Sequence, residues 1–312
     1  MAILSNTQVT YASVGNKEDI SDTIFQISPT DTPFVSMIAK KTKASNTTHQ
    51  WQTRALAAAA SNAQVQGDEF TNDAATLTSL VSNYTQISRK VASVSGTQGA
   101  VPSYGNNNKI ETQVAIKGEE LKRDMETGLI GNQAAVIASS GVAPKLRSLE
   151  AFYTTNVSRG VSGASGSTST AATDGTQRAF TEALLKPVLQ SVYNAGGNIK
   201  YMMTGASNKQ QVSGFGGNST AYRDATSGAI IAGFNIYKSD FGEIMIVPNR
   251  FQRDRTVHLI DPNYVAVAYL RSFETTPLAK SGDADRVAIV SEYTLEMQNE
   301  AAHGVVADLT TP

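Results

Sequence analysis

Hydrophobic and polar positions alternate along this chain with periods that change several times. Between Glu18 and Lys41 the run reads EDISDTIFQISPTDTPFVSMIAKK. Ile20, Ile24 and Ile27 recur at helical spacing. Pro29 ends that segment, because the residue before a proline is pushed out of the helical region. Thr32 with Pro33 at the first helical position starts a second short turn through Ile38. So short an amphipathic piece has no core beside it in sequence. Thr48 to Leu56 alternates with period 2, with His49, Trp51 and Thr53 on one face, and reads as a strand. Thr76 to Gly96 is Thr- and Ser-rich and reads as a second strand. Together they form a long two-stranded excursion around a polar tip, which would be marginal alone in water.

The strongest helical pattern runs from Asn108 to Ser140. Asn108 and Glu111 resemble a capping box, and Gly141 and Pro144 mark the stop. Ile110, Val114, Leu121, Met125 and Leu129 trace the apolar stripe. Glu119 with Arg123, and Lys122 with Glu126, are spaced as i,i+4 ion pairs. At ~1.5 Å per residue the helix is roughly 45 Å long. Gly118, Gly128 and Gly131 weaken it and mark a bend or a close approach by another backbone. Ser158 to Thr176 is Gly/Ser-rich, the composition of a flexible linker. An α/β pattern follows. It has a helix closed by Gly196 and Gly197, a strand at KYMMTG, a short helix, a hairpin around Asp240 to Gly242, and strands at TVHLID and YVAVAYLR. From Arg286 a long strand, a turn near Asn299 and a final strand close the chain.

Composition narrows the function. Lys plus Arg is 26 and Asp plus Glu is 27, so no strong field exists to bind nucleic acid or an anionic membrane. There is no cysteine, which excludes disulfides, zinc–thiolate sites and cysteine nucleophiles. No apolar run approaches the ~18 residues of a membrane span, and the first residues lack the pattern of a secretory signal.

The motifs of chemistry are missing. His49, His258 and His303 are isolated, without metal-ligand spacing. No GxSxG elbow or GxxxxGK[ST] loop occurs. The Gly/Ser loop could cradle a phosphate, but no lysine or helix start follows it. Arg250, Arg253 and Arg255 in NRFQRDR have three readings: a nucleic-acid patch, an ion-pairing surface, or a pairing site for a neighbouring subunit's carboxylates.

Several phrases carry a resemblance: EDISDTIFQISPTDTPF, HQWQT, GNQAAV, PKLRSLEAF, TDGTQRAFTEALL, IVPNRFQRDR, TTPLAKSGDADR and EYTLEMQNEAAHGVVADL. They span nearly the whole chain. In sequence and in order of parts the chain resembles the major capsid proteins of tailed bacteriophages, the Hong Kong 97 fold. The resemblance implies an α+β fold with an N-terminal arm (1–47), an extended loop (48–96), a peripheral domain (97–175) holding a spine helix (108–140), an axial domain (176–270), and a second peripheral part (271–312). It implies no catalysis and no cofactor or metal. The expected role is a self-assembling shell of hexamers and pentamers around double-stranded DNA, located in the virion and assembled in the host cytoplasm. Scaffolding, portal and decoration proteins are the implied partners, with weak non-specific DNA contact and no membrane. Candidate subunit contacts are Ile20, Ile24, Phe25, Phe34, Trp51, Arg54, Asp68, Glu69, Arg89, Arg250, Arg253 and Arg255. Ile20, Ile24, Phe25 and Phe34 would bury under the peripheral domain of their own subunit or a neighbour's. The alternatives are a bacterial nanocompartment shell, and a soluble phosphate-binding protein or enzyme.

Overall fold

The computed structural model describes residues 30–38, 40–69, 72–103, 109–215, 235–280 and 282–311. Ile20, Ile24, Phe25 and the expected cap at Asn108 lie outside them. The helices are α1 (Pro33–Met37), α2 (Gly96–Ala100), α3 (Lys109–Ile130), α4 (Leu149–Phe152), α5 (Glu182–Asn194) and α6 (Ala206–Ser213). The strands are β1 (Lys41–Lys43), β2 (Thr48–Thr53), β3 (Ser79–Tyr84), β4 (Gln86–Ser95), β5 (Val157–Ser158) and β6 (Tyr201–Thr204), then β7 (Ile236–Ser239), β8 (Gly242–Pro248), β9 (Val257–Ile260), β10 (Val265–Pro277), β11 (Ala284–Met297) and β12 (Gly304–Val306).

Two sheets organise the chain. A four-stranded sheet has the order β1-β10-β11-β4, and a six-stranded sheet the order β5-β12-β9-β6-β8-β7. β2 and β3 pair as a separate hairpin. α3 lies across the four-stranded sheet. At Gly128 an added Cβ would meet the Tyr293 hydroxyl at 3.5 Å, an ordinary contact distance, so this glycine is not forced by a close approach to the sheet. β9 and the start of β10 are buried at every position, from Val257 to Ile260 and from Val265 to Ala268. Such strands have both faces covered and read as unbroken apolar runs rather than alternation.

Two cores form. Phe34, Met125, Leu129, Leu149, Tyr293 and Leu295 belong to the first, and Leu185, Val188, Met202, Ile246, Leu259 and Leu309 to the other. The first also takes in Met203, Ile260 and Val305 from the six-stranded sheet. The change of sheet falls between β9 and β10, at residues 261–264, several residues before the boundary expected at 270. The closing strand β12 returns to the six-stranded sheet, where it pairs with β5 and β9. The resemblance implies that 304–306 belongs with the other strands of 271–312, and nothing in GVV itself marks which sheet it joins.

Three local expectations differ from the structure. The spine helix ends at Ile130, not at 140. The side chains just beyond it find partners outside the helix. Asn132 bonds the backbone of Ala172, and Gln133 bonds Gln86 and Leu146. Such bonds compete with helix propagation. Residues 86–95 are not part of the excursion, because β4 pairs with β11 along its whole length. The i,i+4 pairs also give way to other contacts. Glu126 is fully buried, Lys122 is exposed, and Arg123 sits over the Phe251 ring at 5.4 Å. Lys90 pairs with Asp124 instead, tying sheet to helix.

Candidate assembly surface

Phe34 is 0% exposed and sits in its own subunit's core, which removes it from the candidate subunit contacts. The sequence could not decide between own and neighbouring core, because the deciding residue is a distant acid. The Glu126 carboxylate accepts the Phe34 N–H at 2.7 Å, the Val35 N–H at 3.0 Å and the Asn249 Nδ2–H at 2.7 Å. One side chain of α3 thus ties the start of α1 to the loop after β8. Burial pushes the Glu126 carboxyl above the usual range, against the opposing pull of these three donors. Its position beside Met125 and one turn before Ile130 on the buried face was the available signal.

The excursion is pinned at its base. Trp51 donates its indole N–H to the Met297 carbonyl at 2.8 Å and packs near Phe152. Trp51 therefore anchors the hairpin to its own subunit. The indole has an apolar face and one donor, and both are satisfied at the sheet edge. His49 pairs with Glu296 at 3.0 Å. Buried Asn83 donates to the carbonyls of Arg147 and Leu295 and accepts the Arg147 N–H. Beyond this base nothing is buried. Every described residue from 54 to 78 is exposed, including Arg54, Asp68 and Glu69. Leu56, Val65 and Leu77 are 85%, 79% and 84% exposed, with no core of their own.

The arginine cluster divides. Arg250 is exposed. Arg253 pairs with Glu150 at 2.9 Å and with Asp174 at 2.5 Å. Arg255 donates to the Gly175 carbonyl at 2.7 Å and approaches Asp308 at 3.5 Å. Arg253 and Arg255 thus hold carboxylates of their own chain. The partners lie 53 to 103 residues away in sequence, beyond any local pattern.

These pairs clamp the Gly/Ser segment, which is a folded loop rather than a linker. Ala164 pairs with Thr173, and the Asp308 carboxylate accepts the N–H groups of Gly160 at 2.9 Å and Gly175 at 2.7 Å. The glycines serve proximity. A Cβ on Gly166 would lie 2.9 Å from backbone atoms of Ala151, and one on Gly175 2.6 Å from the Gly163 nitrogen. Composition alone cannot tell glycine that permits motion from glycine that permits contact.

The buried histidines are structural. Burial, helped by Arg253 and Arg159, pushes His258 down to about 3, and burial pushes His303 down to about 4. Among the described residues no group of acids and histidines is arranged to hold a metal ion. Arg89 lies exposed on β4 between Ile87 and Val91, which are 47% and 38% exposed. That strip is the face of the four-stranded sheet turned away from α3. Arg54, Asp68 and Glu69 at the tip, Arg89 on the sheet and Arg250 are the predicted contact residues that remain free to meet a partner.

Known proteins agree with this geometry. A capsid subunit of cyanophage A-1(L) is similar with a TM-score of 0.70 at 11% identity, over 95% of this chain and 97% of that one. The capsid of a native GTA particle is similar with a TM-score of 0.64 at 12% identity, over 98% and 100%. An encapsulin of Synechococcus elongatus PCC 7942 is similar with a TM-score of 0.57 at 12% identity, over 99% and 96%. At such identities these establish the fold, which is the Hong Kong 97 fold of phage capsids. The major capsid protein of Escherichia phage Phieco32 is 40% identical over 127 residues, 40% of this chain and 36% of that relative, so the match spans about a third of the relative's length. The family model of the SU10 major capsid protein matches residues 4–310. A subunit with a folded body, a pinned but coreless excursion and no catalytic constellation among its described residues belongs to the SU10 major capsid protein family, a family of structural proteins rather than enzymes.

Proposed function

We propose that this chain is the shell-forming subunit of a phage head, assembling as hexamers and pentamers around double-stranded DNA. The observation that carries the reading is the excursion at 54–78, a fully exposed segment with large apolar residues held out on a rigidly bonded base. A monomer gains nothing from ordering it, since each residue fixed costs ~1–2 kcal/mol with no burial to offset it. A neighbouring subunit supplies that burial. The exposed strip of Ile87, Arg89 and Val91 is a matching surface for the tip, with Arg89 placed to meet Asp68 or Glu69. In this reading 1–47 is the arm, the four-stranded sheet with α3 is the peripheral domain, and the six-stranded sheet is the axial domain. Scaffolding, portal and decoration proteins are the partners of such a subunit, and DNA contact is weak and non-specific. Assembly takes place in the host cytoplasm.

Negative-stain microscopy of the expressed protein, with and without a co-expressed scaffold, tests this. Closed shells that lose integrity when 55–77 is deleted support it. A stable monomer under both conditions overturns it. The encapsulin likeness favours a second reading, a nanocompartment shell. Particles that carry an enzyme cargo and no DNA would select it.

A further inference from the structure

Under the Gly/Ser loop, several buried polar atoms have no hydrogen-bond partner within the protein. Arg159, just after β5, buries Nε, Nη1 and Nη2 without a bond to any of them. It also forms no ion pair among the described residues. Glu150 on α4 is 0% exposed, and its Oε2 takes Arg253 at 2.9 Å while Oε1 has no donor. Tyr153 is equally buried and leaves its hydroxyl unmet. His258 on β9 turns Nε2 to the Thr256 hydroxyl at 3.4 Å and leaves Nδ1 unmet.

These atoms share one place in the fold. The Tyr153 ring stacks on His258 at 5.6 Å. Arg253 and Arg159 both act on the charge of Glu150 and on that of His258, and Glu150 acts on Tyr153. The Arg159 guanidinium and the Glu150 carboxylate are thus within electrostatic range of each other but out of direct bonding reach. A guanidinium keeps its charge, and a buried charge left without a partner is strongly destabilising. Buried polar groups in folded proteins are met by protein or by ordered water.

The mixture of atoms selects the ligand. Arg159 and the Tyr153 hydroxyl offer donors. Glu150 Oε1 offers an acceptor, as does His258 Nδ1 with the ring proton on Nε2. An anion would suit the guanidinium and be repelled by the carboxylate, and a cation would meet the reverse. The charges already balance, Arg159 and Arg253 against Glu150 and Asp174. A small neutral molecule that both donates and accepts fits all four groups, and water is that molecule. We propose that ordered water is bound among Arg159, Glu150, Tyr153 and His258, joining α4 to β9 and to the start of the Gly/Ser loop. Glu150 then answers two arginines, Arg253 directly and Arg159 through water. This site lies inside the subunit and does not depend on the shell reading.

Tyr153→Phe tests it by sign. Removing a buried hydroxyl that has no partner stabilises a fold, whereas removing one bound to water loses a bond. In urea unfolding of the soluble full-length subunit, Tyr153→Phe should raise the unfolding constant about three- to tenfold. Arg159→Met and Glu150→Gln should each raise it too, and the double variant should fall short of their product by at least about threefold. A crystal structure fine enough to show water should carry density within hydrogen-bond distance of Arg159 and Glu150 Oε1. Unchanged or greater stability in Tyr153→Phe would overturn the proposal. So would strict multiplication in the double variant, or a direct bond between Arg159 and Glu150 Oε1. Crystals soaked in bromide separate water from an anion: an anomalous peak at the site would overturn the proposal, and its absence beside clear water density would support it.

Discussion

Asp308→Ala should open the loop at 160–175 while leaving both sheets folded. Asp308 is 1% exposed and holds φ at +59°, in the left-handed region. Its carboxylate accepts two backbone N–H groups and faces Arg255. Truncation leaves two donors without partners at about 1–3 kcal/mol each. Alanine in the left-handed region adds about 1–2 kcal/mol, whereas asparagine is tolerated there. The sum for alanine is about 3–8 kcal/mol, which would exceed the local stability of most loops. For Asp308→Asn the shape and backbone fit remain and one acceptor survives, so about 1–3 kcal/mol is expected. Amide hydrogen exchange of the soluble subunit reads this directly. Gly160, Thr173, Gly175 and Thr176 should lose at least about a hundredfold in protection in the alanine variant, since a tenfold change corresponds to about 1.4 kcal/mol. The asparagine variant should lose about tenfold. Equal protection in wild type and Asp308→Ala would show that the loop is held by its own turns, and equal loss in both variants would show that the backbone geometry of residue 308 plays no part.

Arg253→Ala leaves Glu150 buried without its partner and should cost about 3–5 kcal/mol, whereas Arg250→Ala should stay within about 0.5 kcal/mol, as urea unfolding of the two variants would establish. For Glu126 the folded-state pKa is raised, so the folded chain binds more protons there than the unfolded chain and stability falls as pH rises through that window. Glu126→Gln should flatten this part of the pH–stability profile above the ordinary glutamate range; an unchanged slope would remove Glu126 as its source. Trp51 is the only tryptophan, so its emission reports the base of the excursion alone. Deleting the tip at 55–77 should leave that emission unchanged, while Trp51→Phe should lose about 0.5–1.5 kcal/mol with the bond to Met297.

The sequence made the periodic elements legible. The stripe through Leu121, Met125 and Leu129, the hairpin turn at Asp240 to Gly242, and the long strand ending at Met297 all lie where their patterns place them. These signals are local, because period and turn chemistry act over a few residues. The site was legible only in outline. Arg253 looks from its neighbours like a free cation, yet Glu150 lies 103 residues before it. Phe34 looks unpartnered until Glu126, 92 residues later, receives its N–H. The Gly/Ser loop misleads for the same reason, since its holding residue, Asp308, lies beyond the whole six-stranded sheet. Wherever a side chain's role is fixed by a distant partner, one sequence carries the residue but not the pairing.

The clamp on that loop also sets an order of events during synthesis. Gly175 emerges 133 residues before the Asp308 that fixes it. At ~5–20 residues per second that is about 7–27 s on the ribosome. β1 waits longer still, since Lys41 pairs with Val267, and β5 waits for β12. The nascent chain therefore carries most of one sheet's edges open until its final residues arrive. A polypeptide ended before β11 can close neither sheet, and one ended between Met297 and Gly304 lacks the β12 strand that joins β5 to β9 in the six-stranded sheet.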